Sequence, residues 1–259
     1  MAPKRRRRVD NESKEAIQNR SSMVTRSRSA KSVKISDNNN NNSPVVVFAH
    51  GAGAPSSSEW MIRWKNLLAD SLNAVEVVTF DYPYISQRKP PPKAEKLIEF
   101  HSDIVKMTAA KFPHHPLILA GKSMGSRVSC MVAAENGIRA SAVVCLGYPL
   151  KGSKGAIRDE PLLQLTVPTM FVQGTKDGLC SLESLEVVMK KMKAVSRLHV
   201  VENGDHSMKI TKKNLELAGI SQEEAEQCAV QAIAMFVSQT IGASSGGTRP
   251  STQGYPKSF

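Results

Sequence analysis

"LILAGKSMGSRVSC", residues 117–130, carries two motifs written over one another. Gly121-Lys122-Ser123 is how a phosphate-binding loop ends, and residues 121–125 also spell the G-x-S-x-G turn of a serine nucleophile. In the first reading Ser123 would hold a magnesium ion beside a nucleotide; in the second it attacks a carbonyl. A phosphate-binding loop needs a glycine-rich turn before G-K-S, aiming amides at phosphates. Here that place is taken by "PLILA" (116–120), an apolar run without glycine. A nucleophile turn needs a strand, a tight turn and a helix. "PLILA" supplies the strand, and residues 126–136 supply the helix. Gly121 and Gly125 fall where strand and helix pass too close for a Cβ, so the serine reading fits its surroundings.

Working outward from this turn, short apolar runs alternate with helical patterns. The runs are "VVVFA" (45–49), "VEVVTF" (75–80), "PLILA", "AVVCLG" (142–147), "PTMFVQ" (168–173) and "RLHVV" (197–201). They are continuous rather than alternating, as expected of strands covered on both faces. Between them, apolar residues recur at helical spacing: Trp60, Trp64, Leu67 and Leu68; Leu97, His101, Ile104 and Val105; Leu182, Leu185, Val188 and Met192. A last helix opens on Ser221 and Glu224, spaced as a capping box. This alternation predicts an α/β fold: a doubly wound, mostly parallel sheet of about six strands, with ligands at the carboxyl ends of the strands.

Three further stretches fall at those ends. "FAHGAG" (48–53) follows the first strand and suits a loop lending a backbone N–H to an oxyanion. Ala52 is the expected donor, ahead of Gly51, and the Met124 N–H is the second. "FVQGTKDGL" places Asp177 just past a strand, and "VVENGDHSM" places His206 in the loop after the next. A serine hydroxyl needs an imidazole to take its proton, and the imidazole needs a carboxylate to fix its tautomer. Ser123, Asp177 and His206 are the candidate triad, in the chain order that G-x-S-x-G enzymes of this architecture use. Each also has a structural alternative. Ser123 could be a small residue at a tight turn, Asp177 could cap the helix from Ser181 or brace a turn with Gly178, and His206 could pair with Asp205. His101 and His199 read as core or edge residues, and His50 as a brace behind the oxyanion loop. Lys122, Lys151, Lys154, Arg158 and Lys176 form a possible cationic rim, with solvated loop residues as the alternative.

The net charge of +12 is unevenly spread. Residues 1–44 hold eleven Lys/Arg against four Asp/Glu, whereas residues 45–241 hold 22 against 19. The folded part is therefore nearly balanced, which argues against nucleic-acid binding by it. Segment 1–44 has few aliphatics, a polyasparagine stretch and the basic run Lys4–Arg8, so it reads as a disordered tail whose run suits an import receptor. Residues 242–259 read as a second, Gly/Ser/Pro-rich tail, leaving 45–241 as the domain. Cys130, Cys145, Cys180 and Cys228 lack metal-ligand spacing and read as reduced core thiols. No cofactor or metal is called for. No stretch is long enough for a membrane span. The expectation is a soluble protein of nucleus or cytoplasm.

Together, "FAHGAGAPSSSEWM", "VVTFDYPY", "LILAGKSMGSR" and "GDHSM" resemble the α/β-hydrolase-like family that groups the testis-expressed hydrolase-like proteins with a regulatory subunit of the NSL histone acetyltransferase complex. The resemblance spans roughly residues 44–240. It implies an α/β-hydrolase fold with strand order 2-1-3-4-5-6 and Ser123, Asp177 and His206 at the triad positions, but no substrate. Two departures stand out. The hairpin that usually precedes the first parallel strand has no counterpart in the polar N-terminal segment, and the connection after "AVVCLGYP" is too short for a helical lid. The expected function is a serine hydrolase acting on a small acyl substrate at an open site. The alternative is a catalytically silent interaction module of a nuclear complex.

Overall fold

The computed structural model describes residues 42–152 and 155–245. The basic run Lys4–Arg8, most of the N-terminal tail, Lys154 and segment 246–259 lie outside the described residues. Six strands, β1 (Val45–Ala49), β2 (Glu76–Phe80), β3 (Leu117–Lys122), β4 (Ala142–Leu146), β5 (Thr169–Gly174) and β6 (Ser196–Val201), form one all-parallel sheet in the order β2-β1-β3-β4-β5-β6. The order reverses between β1 and β3, and the carboxyl ends of those two strands flank the crevice where such sheets take ligands.

The inner strands are apolar throughout because each face has its own core. On one side Val45, Val47, Leu119, Val143 and Phe171 pack against α3 (Ile98–Lys111), α4 (Met124–Ala133) and α6 (Leu182–Met189). On the other, Val46, Phe48, Ile118, Val144 and Val172 meet α1 (Glu59–Leu72) and α8 (Gln222–Ser245). Residues of period two thus serve opposite layers, and neither set can be polar. The edge strands depart from this expectation. Only Val77 and Phe80 of β2, and Val201 of β6, are buried, since each edge lacks a neighbour on one side.

Trp64, Leu68 and Leu72 recur at helical spacing and bury one face of α1. That helix is tied to α8 by Arg63, whose Nε and Nη2 each donate to Glu226 at 2.8 Å. The capping box at Ser221 forms: the Ser221 N–H donates to Glu224 Oε2 at 2.7 Å, and the Glu224 N–H to Ser221 Oγ at 3.0 Å. Intrahelical bonding then carries α8 to Ser245, past residue 241 where composition placed the end of the domain. Cys130, Cys145 and Cys180 are buried thiols, but Cys228 lies exposed on α8, against the expectation of four core thiols.

Four short elements escaped the periodicity: α2 (Pro83–Ser86), a 3-10 turn (Ala94–Leu97), α5 (Glu160–Gln164) and α7 (Lys212–Ala218). Each is about one or two turns long, too short to display a hydrophobic period. Among the described residues between β4 and β5 stand only α5 and a single antiparallel bridge from Lys151 to Ile157, and none of them forms a helical lid. Among the described residues no helix is long and apolar enough to cross a membrane.

Candidate active site

Ser123 sits between the last residue of β3 and the first of α4, with φ 51° and ψ −116°. A non-glycine residue there carries strain of about 1–3 kcal/mol, held only because its surroundings over-determine it. Its N–H donates to the Leu146 carbonyl at 3.0 Å, and its carbonyl accepts from the N–H groups of Ser126 and Arg127. The flanking glycines are steric requirements. A Cβ on Gly121 would lie 2.4 Å from Gly125 C and Ser126 N, and one on Gly125 would lie 2.5 Å from the carbonyl oxygens of Ala49 and His50. Since Gly121-Lys122 is strand, no loop capable of cradling phosphate precedes Ser123.

The structure brings the three separated side chains together. His206 Nε2 lies 2.8 Å from Ser123 Oγ, and His206 Nδ1 lies 2.7 Å from Asp177 Oδ2. An ionised carboxylate only accepts, so the ring carries its proton on Nδ1 and presents a lone pair at Nε2 to the serine hydroxyl. Asp177 is buried, which alone would raise its pKa. Hydrogen bonds from the His206 ring, the Leu179 N–H and Gln173 Nε2 outweigh this and lower it. Asp177 therefore stays ionised at neutral pH.

Two of the alternatives are settled by geometry. Asp205 does not pair with His206; its Oδ1 accepts from the N–H groups of Ser207 and Lys209 at 2.7 and 3.0 Å and so folds the loop that presents the ring. Asp177 does not cap α6, because Ser181 is the N-cap and its Oγ accepts from the Ser184 N–H at 3.3 Å.

The loop after β1 is braced from behind, as expected of His50. Its Nε2 accepts from the Tyr82 N–H at 3.1 Å, which puts the ring proton on Nδ1, and Nδ1 donates to the Gly51 carbonyl at 2.6 Å. Burial keeps His50 neutral by lowering its pKa. Tyr84 Oη adds a contact to the Ala52 carbonyl at 3.3 Å. The amides of Ala52 and Met124 meet no acceptor among the described residues, and both residues line the same cleft as Ser123. His101 and His199 lie away from it, His101 being fully buried against Tyr82 Oη at 3.1 Å.

That cleft has a volume of about 590 Å³. Pro91, Pro92, Pro149 and Leu179 supply apolar wall, and Arg127 and Arg158 supply charge. The expected cationic rim is thus mostly corrected. Of its four members among the described residues only Arg158 lines the cleft; Lys151 and Lys176 are exposed, Lys122 is buried, and Lys154 lies outside the described residues. Lys122 Nζ donates to the backbone carbonyl of His206 and lies 5.3 Å from the centre of the Trp60 ring. Trp60 Nε1 in turn donates to the Ser207 carbonyl at 2.9 Å. Gly147, with φ 64°, gives the loop room, since a Cβ there would stand 2.6 Å from the His206 carbonyl oxygen. Sequence reasoning missed Arg127, Trp60 and Gly147 at the site. Only Arg127 left a signal, one helical turn after Ser123. Among the described residues no group of three His, Cys, Asp or Glu side chains is placed to hold a metal ion.

Solved structures share this architecture. Est1E from Butyrivibrio proteoclasticus superposes with a TM-score of 0.54 at 16% identity, over 80% of this chain and 91% of that one. An alpha-beta serine hydrolase homologue from Coxiella burnetii gives 0.53 at 15%, over 70% and 83%. Dienelactone hydrolase from Anabaena variabilis gives 0.53 at 18%, over 73% and 86%. At such identities the likeness concerns the fold. Residues 42–238 match the model of the alpha/beta hydrolase domain, more than half of the sequence, and the chain belongs to that family.

Proposed function

We propose that the protein is a serine hydrolase of ester, thioester or related acyl bonds. The observation that carries this reading is the relay in which one imidazole stands 2.8 Å from Ser123 Oγ and 2.7 Å from Asp177 Oδ2. As Ser123 Oγ attacks an acyl carbonyl, His206 Nε2 takes its proton and Asp177 stabilises the resulting imidazolium. The amides of Ala52 and Met124 receive the negative charge that develops on the carbonyl oxygen. The imidazolium then protonates the leaving group, and an acyl-enzyme remains on Ser123. Water, deprotonated by the same imidazole, releases the acid and restores the serine. The backbone strain at Ser123 and the steric demand for Gly121 and Gly125 support this assignment, because they hold the hydroxyl above the sheet.

The test is labelling by a fluorophosphonate probe. Folded wild-type protein should react covalently at Ser123, and Ser123→Ala should abolish the reaction. A folded wild type that stays unlabelled would exclude the reading.

A second reading, a catalytically silent module of a nuclear complex, is favoured by the run Lys4–Arg8 and by the resemblance to a chromatin-complex subunit. It places the protein in the nucleus through an import receptor. Co-purification with a large nuclear assembly, unchanged by Ser123→Ala, would support it; a purely cytosolic monomer would count against it.

A further inference from the structure

The cleft that holds Ser123 is lined by charged side chains as well as apolar ones. Its walls combine apolar residues, among them Pro91, Pro92, Pro149 and Leu179, with two guanidinium groups, those of Arg127 and Arg158. Arg127 lies four residues after Ser123 on α4, one turn along the same face. Its side chain is only 13% exposed, and its Nε is buried without an acceptor among the described residues. Its one carboxylate contact, Nη2 to Glu95 Oε1 at 3.2 Å, involves an acid that is itself largely in solvent. Arg158 is half-buried and pairs with no carboxylate among the described residues. It is fixed through its backbone, whose carbonyl accepts from Tyr148 Oη at 2.8 Å and whose N–H donates to Leu150. Lys93 adds a third cation at the rim, so the lining carries three positive groups against Glu95.

Removing a guanidinium from water without a full set of acceptors is unfavourable, and an anionic ligand reverses that cost. The planar fork of arginine matches the two oxygens of a carboxylate, and apolar walls on the way to it suit a short aliphatic chain. We infer that the preferred substrate of this cleft is an acyl ester or thioester whose acyl chain carries a carboxylate, received by Arg127 and Arg158 while Ser123 attacks the scissile carbonyl. This rests on the serine-hydrolase reading and narrows it to a substrate class.

The test compares 4-nitrophenyl hydrogen adipate with its uncharged counterpart, the mixed methyl 4-nitrophenyl adipate, on the full chain at low salt. The wild type should favour the acid by about tenfold or more in kcat/KM, an advantage that shrinks as salt is added. In Arg158→Gln the acid-to-ester ratio should fall towards one, and Arg158→Lys should keep part of it as a point charge. Arg127→Gln should act in the same direction; Arg158 is the primary variant because it makes no ion pair among the described residues, so its replacement leaves no carboxylate without its partner. Equal cleavage of both compounds, or preference for the uncharged one, overturns the carboxylate inference and leaves the hydrolase standing. Cleavage of neither, together with no fluorophosphonate labelling, overturns the hydrolase reading and this inference with it.

Discussion

Lys122 Nζ donates a hydrogen bond to the backbone carbonyl oxygen of His206, so the residue before the serine holds the loop that carries the imidazole. Burial pushes the Lys122 pKa down to about 8, against the opposing charges of Asp177 and Asp205. Below that pH the bond is charge-assisted; above it a neutral amine makes a weaker one. Lys122→Met should fold and keep its packing on Trp60, yet lose the tether. Its kcat/KM towards an activated ester should fall by roughly tenfold to a hundredfold, since a displacement on the order of 1 Å has effects of that size. The wild type should also lose activity as pH rises through about 8, and Lys122→Met should lack that alkaline limb. A pH–rate profile of both proteins decides it; superimposable profiles would show that Lys122 is only a packing residue.

Gly121 and Gly125 should tolerate nothing larger. The nearest atoms to an added Cβ are backbone atoms of the opposing element, 2.4 and 2.5 Å away, which cannot rotate aside. Gly121→Ala and Gly125→Ala should each destabilise the fold by about 3 kcal/mol or more, in the range of severe overpacking. Gly53→Ala, where no atom lies within 4 Å, should stay within about 0.5 kcal/mol. Urea titration followed by circular dichroism measures all three.

Much of this architecture was legible in the sequence because the relevant constraints are local. Apolar runs of five or six residues mark the buried strands, and the G-x-S-x-G turn lies where strand gives way to helix. The meeting of Ser123, His206 and Asp177 was legible for a related reason: Asp177 and His206 each follow a strand whose carboxyl end must face the same rim. What stayed hidden depends on contacts between distant segments. That Lys122 is buried cannot be read from a motif in which it occupies the variable position. The glycine at 147 looks like any strand-ending glycine until the His206 carbonyl is seen against it. Likewise, of the described members of the cationic rim only Arg158 lines the cleft, because position in a loop does not say which way a long side chain turns.

His101 makes the fold sensitive to acid. It is fully buried between Phe80 and Tyr82, and burial lowers its pKa from 6.5 to about 3. The unfolded chain takes up this proton first as pH falls below 6.5, so stability present above 6.5 is lost progressively down to about 3. The slope from this one group approaches about 1.4 kcal/mol per pH unit between those limits. His101→Phe should be less stable at pH 7, where Tyr82 Oη loses its partner, but its stability should fall less steeply between pH 6 and 4. Urea midpoints across that range test this; parallel slopes for both proteins would exclude His101 as the acid-sensitive group.

Comparing Ser123→Gly with Ser123→Ala isolates the strain stored at the turn. Both variants lose the hydroxyl and its contact with His206, and neither should react with a fluorophosphonate. They differ in the backbone, because alanine must still adopt φ 51° and ψ −116° while glycine does so without a Cβ clash. Relief of that strain favours the glycine variant by about 1–3 kcal/mol. The greater freedom of glycine in the unfolded chain offsets about 0.4–1 kcal/mol of it. Ser123→Gly should therefore exceed Ser123→Ala in stability by about 1 kcal/mol, even though glycine ordinarily weakens a position that leads into a helix. If Ser123→Ala were the more stable of the two in urea, the turn would not be strained, and its backbone would not be what holds the hydroxyl towards His206.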